Sequence, residues 1–331
     1  MQRLQFVLFQ IDEARRHLRQ GLVPGLRVAL ILLDNAVEVL LDRWIEEDLI
    51  RGALIQRLQE TTRAAGISEA HPDFQGLFAE QLLSAGERRQ VARFFDEKVR
   101  YVAETKRKIP QSVGSVLSHL HRYRNQAYHS GLVKPETLRT SVMILLDLCC
   151  RLLTSLESSL SYGSDEDYTW LEERFTIVPQ ALVNNERLEE IAAELREGVP
   201  IDEGSLRETL ARNLDVRLSE EFKQLDFIAS FIKMNPADAL LEAQRFALEE
   251  LKQSPPYHTA PKRLDEAVSV AQLHGMQAVS GRVRAARNSV EAFRLYAECD
   301  VLLERIEYMT GRLAGEIDCY IQFEVDVALG K

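Results

Sequence analysis

Three polar side chains near the end of one predicted helix could act together on a phosphodiester. They are Arg124, Asn125 and His129, in the segment Arg-Asn-Gln-Ala-Tyr-His-Ser-Gly that ends at Gly131. A histidine exchanges protons near neutral pH, an arginine fork binds phosphate oxygens, and an amide orients its neighbours. A helix C-terminus favours a cationic imidazole, which suits His129 for proton transfer. The pattern therefore indicates chemistry on a phosphate ester.

The motif and its setting resemble the HEPN superfamily, whose all-α domains carry an R-x(4–6)-H motif late in a helix. A polar residue directly after the arginine is common in that family, and Asn125 matches it. The resemblance covers about residues 1–160. Many members are metal-independent endoribonucleases of toxin–antitoxin, anti-phage and CRISPR-linked systems. The resemblance implies that Arg124 and His129 are catalytic, with Asn125 in support, and that an RNA 2′-OH attacks the adjacent phosphate to leave a 2′,3′-cyclic phosphate.

The resemblance also implies partners. It predicts a homodimer or higher even oligomer in which two motifs face one cleft, an RNA substrate, and an antitoxin or defence-complex protein. Some family members only scaffold, bind nucleotide or dimerise. The alternative is a non-catalytic helical adaptor, in which Arg124 pairs with an acid and His129 caps its own helix. A further alternative is a toxin silenced by a nucleotidyltransferase that modifies Tyr123 or Tyr128.

The second predicted helix is expected to support this motif. Its segment 29–41 is apolar nearly all round, so it is predicted to be central. Three polar residues interrupt the segment: Asp34, Asn35 and Glu38. Because buried polar groups need partners, Asn35 and Glu38, together with Tyr128, are predicted to orient the arginine or the histidine of the motif. A structural salt bridge or a solvated edge is favoured slightly more for Asp34 than for Glu38.

A basic stretch precedes the motif. The net charge of −10 argues against a broad nucleic-acid-coating surface. Residues 86–124, however, hold ten lysines and arginines against four acids, which predicts one local basic patch. The residues predicted to bind RNA are Arg100, Lys106, Arg107, Lys108 and Arg122. The alternative is a set of solvated helix faces with surplus arginine.

Composition predicts an all-α protein: an N-terminal HEPN-like helical bundle followed by a C-terminal long-helix domain. The 331 residues are 46% apolar, contain only 16 glycines and 10 prolines, and are rich in strong helix formers. The predicted domains are 1–160 and 185–331, joined by a linker over 161–184. The second domain is expected to regulate, oligomerise or bind a partner. Helices are predicted from Pro24 to about Ile50, ending at Gly52, over 87–108, and over 261–329 with glycines as break points. The only strand-like run lies within 175–183.

Other classes of site find no support in the sequence. None of the four cysteines forms a CxxC pair, which is typical of a reduced, cytoplasmic protein. The charged, amphipathic N-terminus does not resemble a signal peptide, and the longest apolar run is too short to span a bilayer. No HExxH, Walker or GxGxxG pattern occurs, so neither a metal nor a cofactor is predicted.

Overall fold

A computed structural model describes residues 2–67, 83–129, 135–155, 169–177, 184–199, 202–253, 261 and 263–329. Every regular element in these ranges is helical, and no strand occurs among them, so the predicted all-α class is confirmed. None of the helices described there is long and apolar enough to cross a membrane. The chain divides into two compact units, residues 1–200 and residues 201–331.

The first unit is built around one long central helix. Its helices are α1 Gln2–Gln20, α2 Val23–Ala64, α3 Ala85–Arg93, α4 Phe95–Arg100, α5 Gln111–His129, α6 Pro135–Thr154, α7 Thr169–Phe175 and α8 Asn185–Arg196. Helix α2 packs against α1, α5 and α6 and buries Leu30, Leu33 and Val37 completely. It continues through Gly52, where the sequence predicted a break. A glycine inside a helix costs only about 1 kcal/mol, and the strong helix formers Ala53, Leu54 and Gln56 follow it closely.

The first unit extends further along the chain than the sequence predicted. Helix α8 packs against α6 and α1, and Arg196 Nε donates to Asp147 Oδ1 at 2.9 Å. Residues 169–199 therefore belong with the first unit, whereas the sequence assigned them to a linker and to the second domain. Phe175 ends α7 and is not in a strand. Residues 161–168 and 178–183, which hold the core of the predicted linker and the rest of the strand-like run, lie outside the described residues.

Local breaks in the chain bring α4 and α5 together. Phe94 has extended backbone angles, φ −111° and ψ 126°, so the single helix predicted over 87–108 is divided there. Helix α4 runs directly into a π-helical turn, Tyr101–Thr105. A Cβ atom on Gly114 of α5 would lie 3.1 Å from Ala103 Cβ, which is tighter than ordinary packing. Gly114 therefore permits the close approach of α5 to the π-helical turn.

The second unit contains α9 Glu203–Ile232, α10 Pro236–Gln253, α11 Val270–Arg284 and α12 Ser289–Ala328. Helices α9 and α12 run parallel, because contacts follow the same order along both: Glu203 with Ser289, Arg217 with Glu307, Glu221 with Thr310, and Phe231 with Tyr320. The sequence predicted a helical stretch over 261–329 that is too long to be uninterrupted, with glycines such as Gly281 as break points. It is divided between α11 and α12, where Asn288 Oδ1 caps α12 by accepting from the backbone N–H of Glu291 at 2.9 Å.

Candidate functional site

Arg124 in α5 is held by a buried carboxylate from the middle of α2. Its Nε donates to Asp34 Oδ2 at 2.8 Å, and its Nη2 donates to the same oxygen. On the other side, Asn125 Oδ1 accepts from Arg124 Nη1 at 2.7 Å. The Asp34 side chain is only 2% exposed, so it depends on such partners for its negative charge. The guanidinium is therefore fixed from two directions.

Part of this guanidinium remains open to a ligand. The Arg124 side chain is 26% exposed. Its bonds to Asp34 and Asn125 engage Nε and one N–H of each terminal nitrogen, which leaves one further N–H on Nη1 and one on Nη2 relative to the residues described. Two parallel N–H groups match two oxygens of a phosphate. The arrangement can therefore bind an anion without releasing Asp34.

His121 contacts the same carboxylate. Its Nδ1 lies 3.0 Å from Asp34 Oδ1 and 3.1 Å from Asp34 Oδ2. The imidazole stacks on Phe95 of α4, with ring centroids 4.0 Å apart and planes 5° from parallel. The side chain is 18% exposed. Asp34 thus fixes one arginine and one histidine of α5, and Phe95 sets the plane of the histidine ring.

His119, two residues earlier on α5, has a different environment. Burial lowers the pKa of His119 to about 4, and the charge of Arg122 acts in the same direction. His119 Nδ1 accepts a hydrogen bond from Arg122 Nη2. The ring is therefore neutral at pH 7 and occupied by a cation, which leaves it poorly suited to donate protons.

Asp34 is the first of three acids spaced four residues apart on α2. The other two, Glu38 and Asp42, share Lys98 of α4, whose Nζ lies 2.8 Å from Glu38 Oε1 and 2.8 Å from Asp42 Oδ1. Burial lowers the pKa of Lys98, but its hydrogen bonds to Asp42 and Glu38 outweigh this and raise it. The expectation that Glu38 supports Arg124 is therefore corrected: Glu38 pairs with Lys98, and Asp34 holds the arginine.

The described residues cover only part of the predicted site. Arg124 and Asn125 contact each other. Helix α5 ends at His129, but the side chains of His129 and Tyr128 lie outside the described residues. Asn35 is half-buried on α2, beside Asp34 in the chain.

The predicted RNA-binding residues carry less free charge than the sequence indicates. Arg100 pairs with Glu97. Lys106 Nζ lies 3.0 Å from Asp48 Oδ1 of α2 and 5.6 Å from the centroid of the Tyr101 ring. The remaining three side chains are exposed: Arg107, Lys108 and Arg122. Acids of α2 thus neutralise part of the basic stretch. They are distant from it in the sequence, so the sequence did not show this pairing.

Sequence reasoning missed His121 as part of the site. Its partner Asp34 lies 87 residues earlier in the chain. Two signals were present: a histidine three residues before Arg124, and an aspartate in a mostly apolar segment. Phe95 and Lys98 gave no comparable signal, because the direction of α4 depends on the break at Phe94, which the sequence did not predict.

Comparisons of the chain with protein-family models, with curated proteins and with solved structures found no significant match. Among the residues that the structure describes, no group of histidine, cysteine, aspartate or glutamate side chains has the arrangement of a metal site. The features that indicate a function are consequently the geometry around Asp34 and Arg124 and the motif that continues to His129.

Proposed function

We propose that the first unit is a metal-independent endoribonuclease of the HEPN type. The observation that carries the proposal is the partly exposed guanidinium of Arg124, which the buried Asp34 and Asn125 fix and which keeps N–H groups for an anion relative to the residues described. Arg124 precedes His129, the last residue of α5, by five residues. An arginine oriented in advance and a histidine at a helix C-terminus are the groups that phosphodiester transesterification requires.

In this proposal Arg124 binds a phosphate oxygen of RNA and stabilises the charge that develops during attack. The 2′-hydroxyl of the ribose loses its proton to a base, its oxygen bonds to phosphorus, and the bond from phosphorus to the 5′-oxygen breaks. His129 gives a proton to the leaving 5′-oxygen. The products are a 2′,3′-cyclic phosphate and a 5′-hydroxyl end, and Asn125 keeps the guanidinium oriented.

One motif on one helix offers a small surface for RNA, so we propose that two protomers combine their motifs in one cleft. Arg107, Lys108 and Arg122 are the exposed cations that would bind the RNA backbone. By the same resemblance, we place the activity in a toxin or anti-phage defence system in the cytoplasm, where a partner protein restrains it.

The test is RNA cleavage in EDTA by purified protein freed of any inhibitor. Wild type should cut varied RNAs and leave 2′,3′-cyclic phosphate ends, while His129→Ala and Arg124→Ala should each lose about 100-fold or more of the rate. Arg245→Ala, an exposed arginine of α10, is the matched control and should cleave as wild type does. Intact RNA with wild type would remove the ribonuclease proposal, and equal cleavage by His129→Ala would remove the motif from it.

The composite site is tested separately by the oligomeric state. Light scattering on the purified protein should give the mass of a dimer or a higher even oligomer. Cleavage by a strictly monomeric protein would contradict a site shared between protomers while leaving the ribonuclease proposal in place.

A non-catalytic helical adaptor is the second candidate. The observation that favours it is the buried ion pair of Asp34 and Arg124, because an arginine paired with an acid is also what a purely structural role requires. In an adaptor, Arg124→Ala lowers the stability of the first unit, and no RNA cleavage occurs to be lost. The cleavage assay together with the unfolding free energy of Arg124→Ala therefore separates the two candidates.

A further inference from the structure

The strongest feature that the motif does not explain is the pair formed by Asp34 and His121. Both oxygens of Asp34 lie within 3.1 Å of His121 Nδ1. A buried carboxylate at this distance keeps the proton of a neutral imidazole on Nδ1. The other ring nitrogen, Nε2, then carries a lone pair. The same carboxylate would stabilise the imidazolium formed if Nε2 took up a proton.

The ring is also held in one orientation. Phe95 stacks on it at 4.0 Å, so the imidazole cannot rotate out of its plane without losing that contact. The bond to Asp34 fixes the direction of Nδ1 and therefore that of Nε2. Preorganisation of this kind is what a proton-transfer group needs, because a small misplacement greatly lowers the rate. The side chain is 18% exposed, so the ring is not sealed from solvent.

His121 also lies next to Arg124. Both side chains contact the Asp34 carboxylate, Arg124 Nε at 2.8 Å and His121 Nδ1 at 3.0 Å. Because His121 and Arg124 are three residues apart on α5 and share one carboxylate, they lie on the same face of the helix, and a phosphate bound by Arg124 would lie on that face. By contrast, His119 is occupied by Arg122, and His274 of α11 stacks on Phe222 with no carboxylate at hydrogen-bond distance among the described residues.

We propose that His121 is the general base of the reaction and that Asp34 positions it, an inference that rests on the proposed ribonuclease function. Nε2 takes the proton of the RNA 2′-OH as the 2′-oxygen bonds to phosphorus. The bond from phosphorus to the 5′-oxygen breaks, and protonated His129 gives its proton to that oxygen. Proton transfer back from His121 to His129 through solvent restores the starting state.

The main test uses His121→Asn, because the asparagine amide can replace Nδ1 as donor to Asp34 while Nε2 is removed. Its kcat should fall by about 100-fold or more, with KM changed by no more than about 3-fold and the unfolding midpoint near that of wild type. In His121→Gly, added imidazole should restore cleavage in a saturable manner. His274→Asn removes a stacked histidine from the second unit and is the matched control, expected to leave cleavage unchanged.

A substrate with sulfur in place of the bridging 5′-oxygen separates the base from the acid. Its leaving group needs no proton, so His129→Ala should recover most of its activity on it, while His121→Asn should stay impaired. Recovery by His121→Asn would overturn the assignment as base. Wild-type rates in His121→Asn on ordinary RNA would overturn any catalytic role while leaving the ribonuclease function standing. Absence of cleavage by wild type would overturn both proposals.

Discussion

Each unit contains an arginine held by carboxylates, and the two arginines differ in how much of the guanidinium is used. In the second unit, Arg217 donates from Nε and Nη2 to the two oxygens of Glu307 at 2.7 and 2.9 Å, and from Nη1 to Asp300 and to the Tyr296 hydroxyl. Its side chain is 6% exposed, against 26% for Arg124. The partners of Arg217 bury its guanidinium. Among the described residues, Arg124 keeps two N–H groups and part of its surface available to a ligand.

The difference indicates two uses of one chemical pair. Contacts of Arg217 join the parallel helices α9 and α12 near their middles, where they fix the register of the helices. A buried charge that loses its partner is costly, so such a network specifies one packing. Asp34 also joins two helices, α2 and α5, but its negative charge orients Arg124 and His121. Mutations around Arg217 should therefore lower mainly the stability of the second unit, whereas mutations around Asp34 should lower mainly the proposed activity of the first unit.

The largest effect on stability is expected from Arg217→Ala. Removing it leaves Asp300 and Glu307 without their shared cation, which should lower the free energy of unfolding of the second unit by about 3–5 kcal/mol. Chemical denaturation measures the change, with Arg245→Ala as an exposed control that should show none. A loss below about 1 kcal/mol would mean that the cluster is not the structural tie between α9 and α12.

The next effect concerns the buried carboxyl beside that cluster. Burial raises the pKa of Glu221 to about 7 from its ordinary value of 4.5. Because the folded state holds this proton more tightly than the unfolded chain does, stability should fall as pH rises from about 4.5 to about 7. Thr310 Oγ1 lies 2.8 Å from Glu221 Oε2 and 2.8 Å from the Ile306 carbonyl; when it donates to that carbonyl, it can accept a hydrogen bond from the protonated carboxyl of Glu221.

Glu221→Gln should abolish this pH dependence. The amide removes the buried charge and can donate to Thr310, so the variant should be more stable than wild type at pH 8 by roughly 2–3 kcal/mol. Unfolding free energies at pH 5 and pH 8 measure the effect, with the exposed neighbour Glu220→Gln as control. A wild-type stability that is equal at the two pH values would contradict a neutral Glu221.

A smaller loss of stability is expected from Asp34→Asn in the first unit. The amide keeps the shape but loses the charge that holds Arg124 and His121, at a cost of about 1.5 kcal/mol, limited because both partners reach solvent. Glu38→Gln, whose partner Lys98 retains Asp42, should cost less. Unfolding of the two variants compares them, and a larger loss for Glu38→Gln would reverse the importance assigned to the two acids.

The smallest effect is expected on RNA binding, where an exposed cation should matter more than one paired with an acid. Arg107 is exposed, whereas Lys106 is paired with Asp48. If the first unit binds RNA, Arg107→Ala should weaken binding by a few-fold and reduce the salt slope of the binding constant by about 1. Lys106→Ala should change both less. Titrations of a single-stranded RNA at several salt concentrations test this, and equal effects would show that pairing with Asp48 does not withhold Lys106 from RNA.

The sequence predicted the helical class well because composition and apolar spacing determine it locally. Breaks were harder to predict: α2 passes through Gly52, while the predicted helix 87–108 is interrupted at Phe94, which has no breaker residue. Partners of buried charges were harder still. Asp34 and Glu38 lie one turn apart on the same face of α2, so spacing alone could not decide which of them contacts Arg124. The partner of each acid depends on the positions of α4 and α5 along α2, and tertiary packing determines those positions.

The most direct test of a functional site around Asp34 measures cleavage and stability together for Arg124→Ala and Arg217→Ala. Arg124→Ala should lose about 100-fold or more of RNA cleavage in EDTA while it remains folded, because the open guanidinium acts on the substrate. Arg217→Ala should lose stability and keep its cleavage rate wherever it is folded. Wild-type cleavage by folded Arg124→Ala would contradict the central claim that the cluster around Asp34 is a functional site.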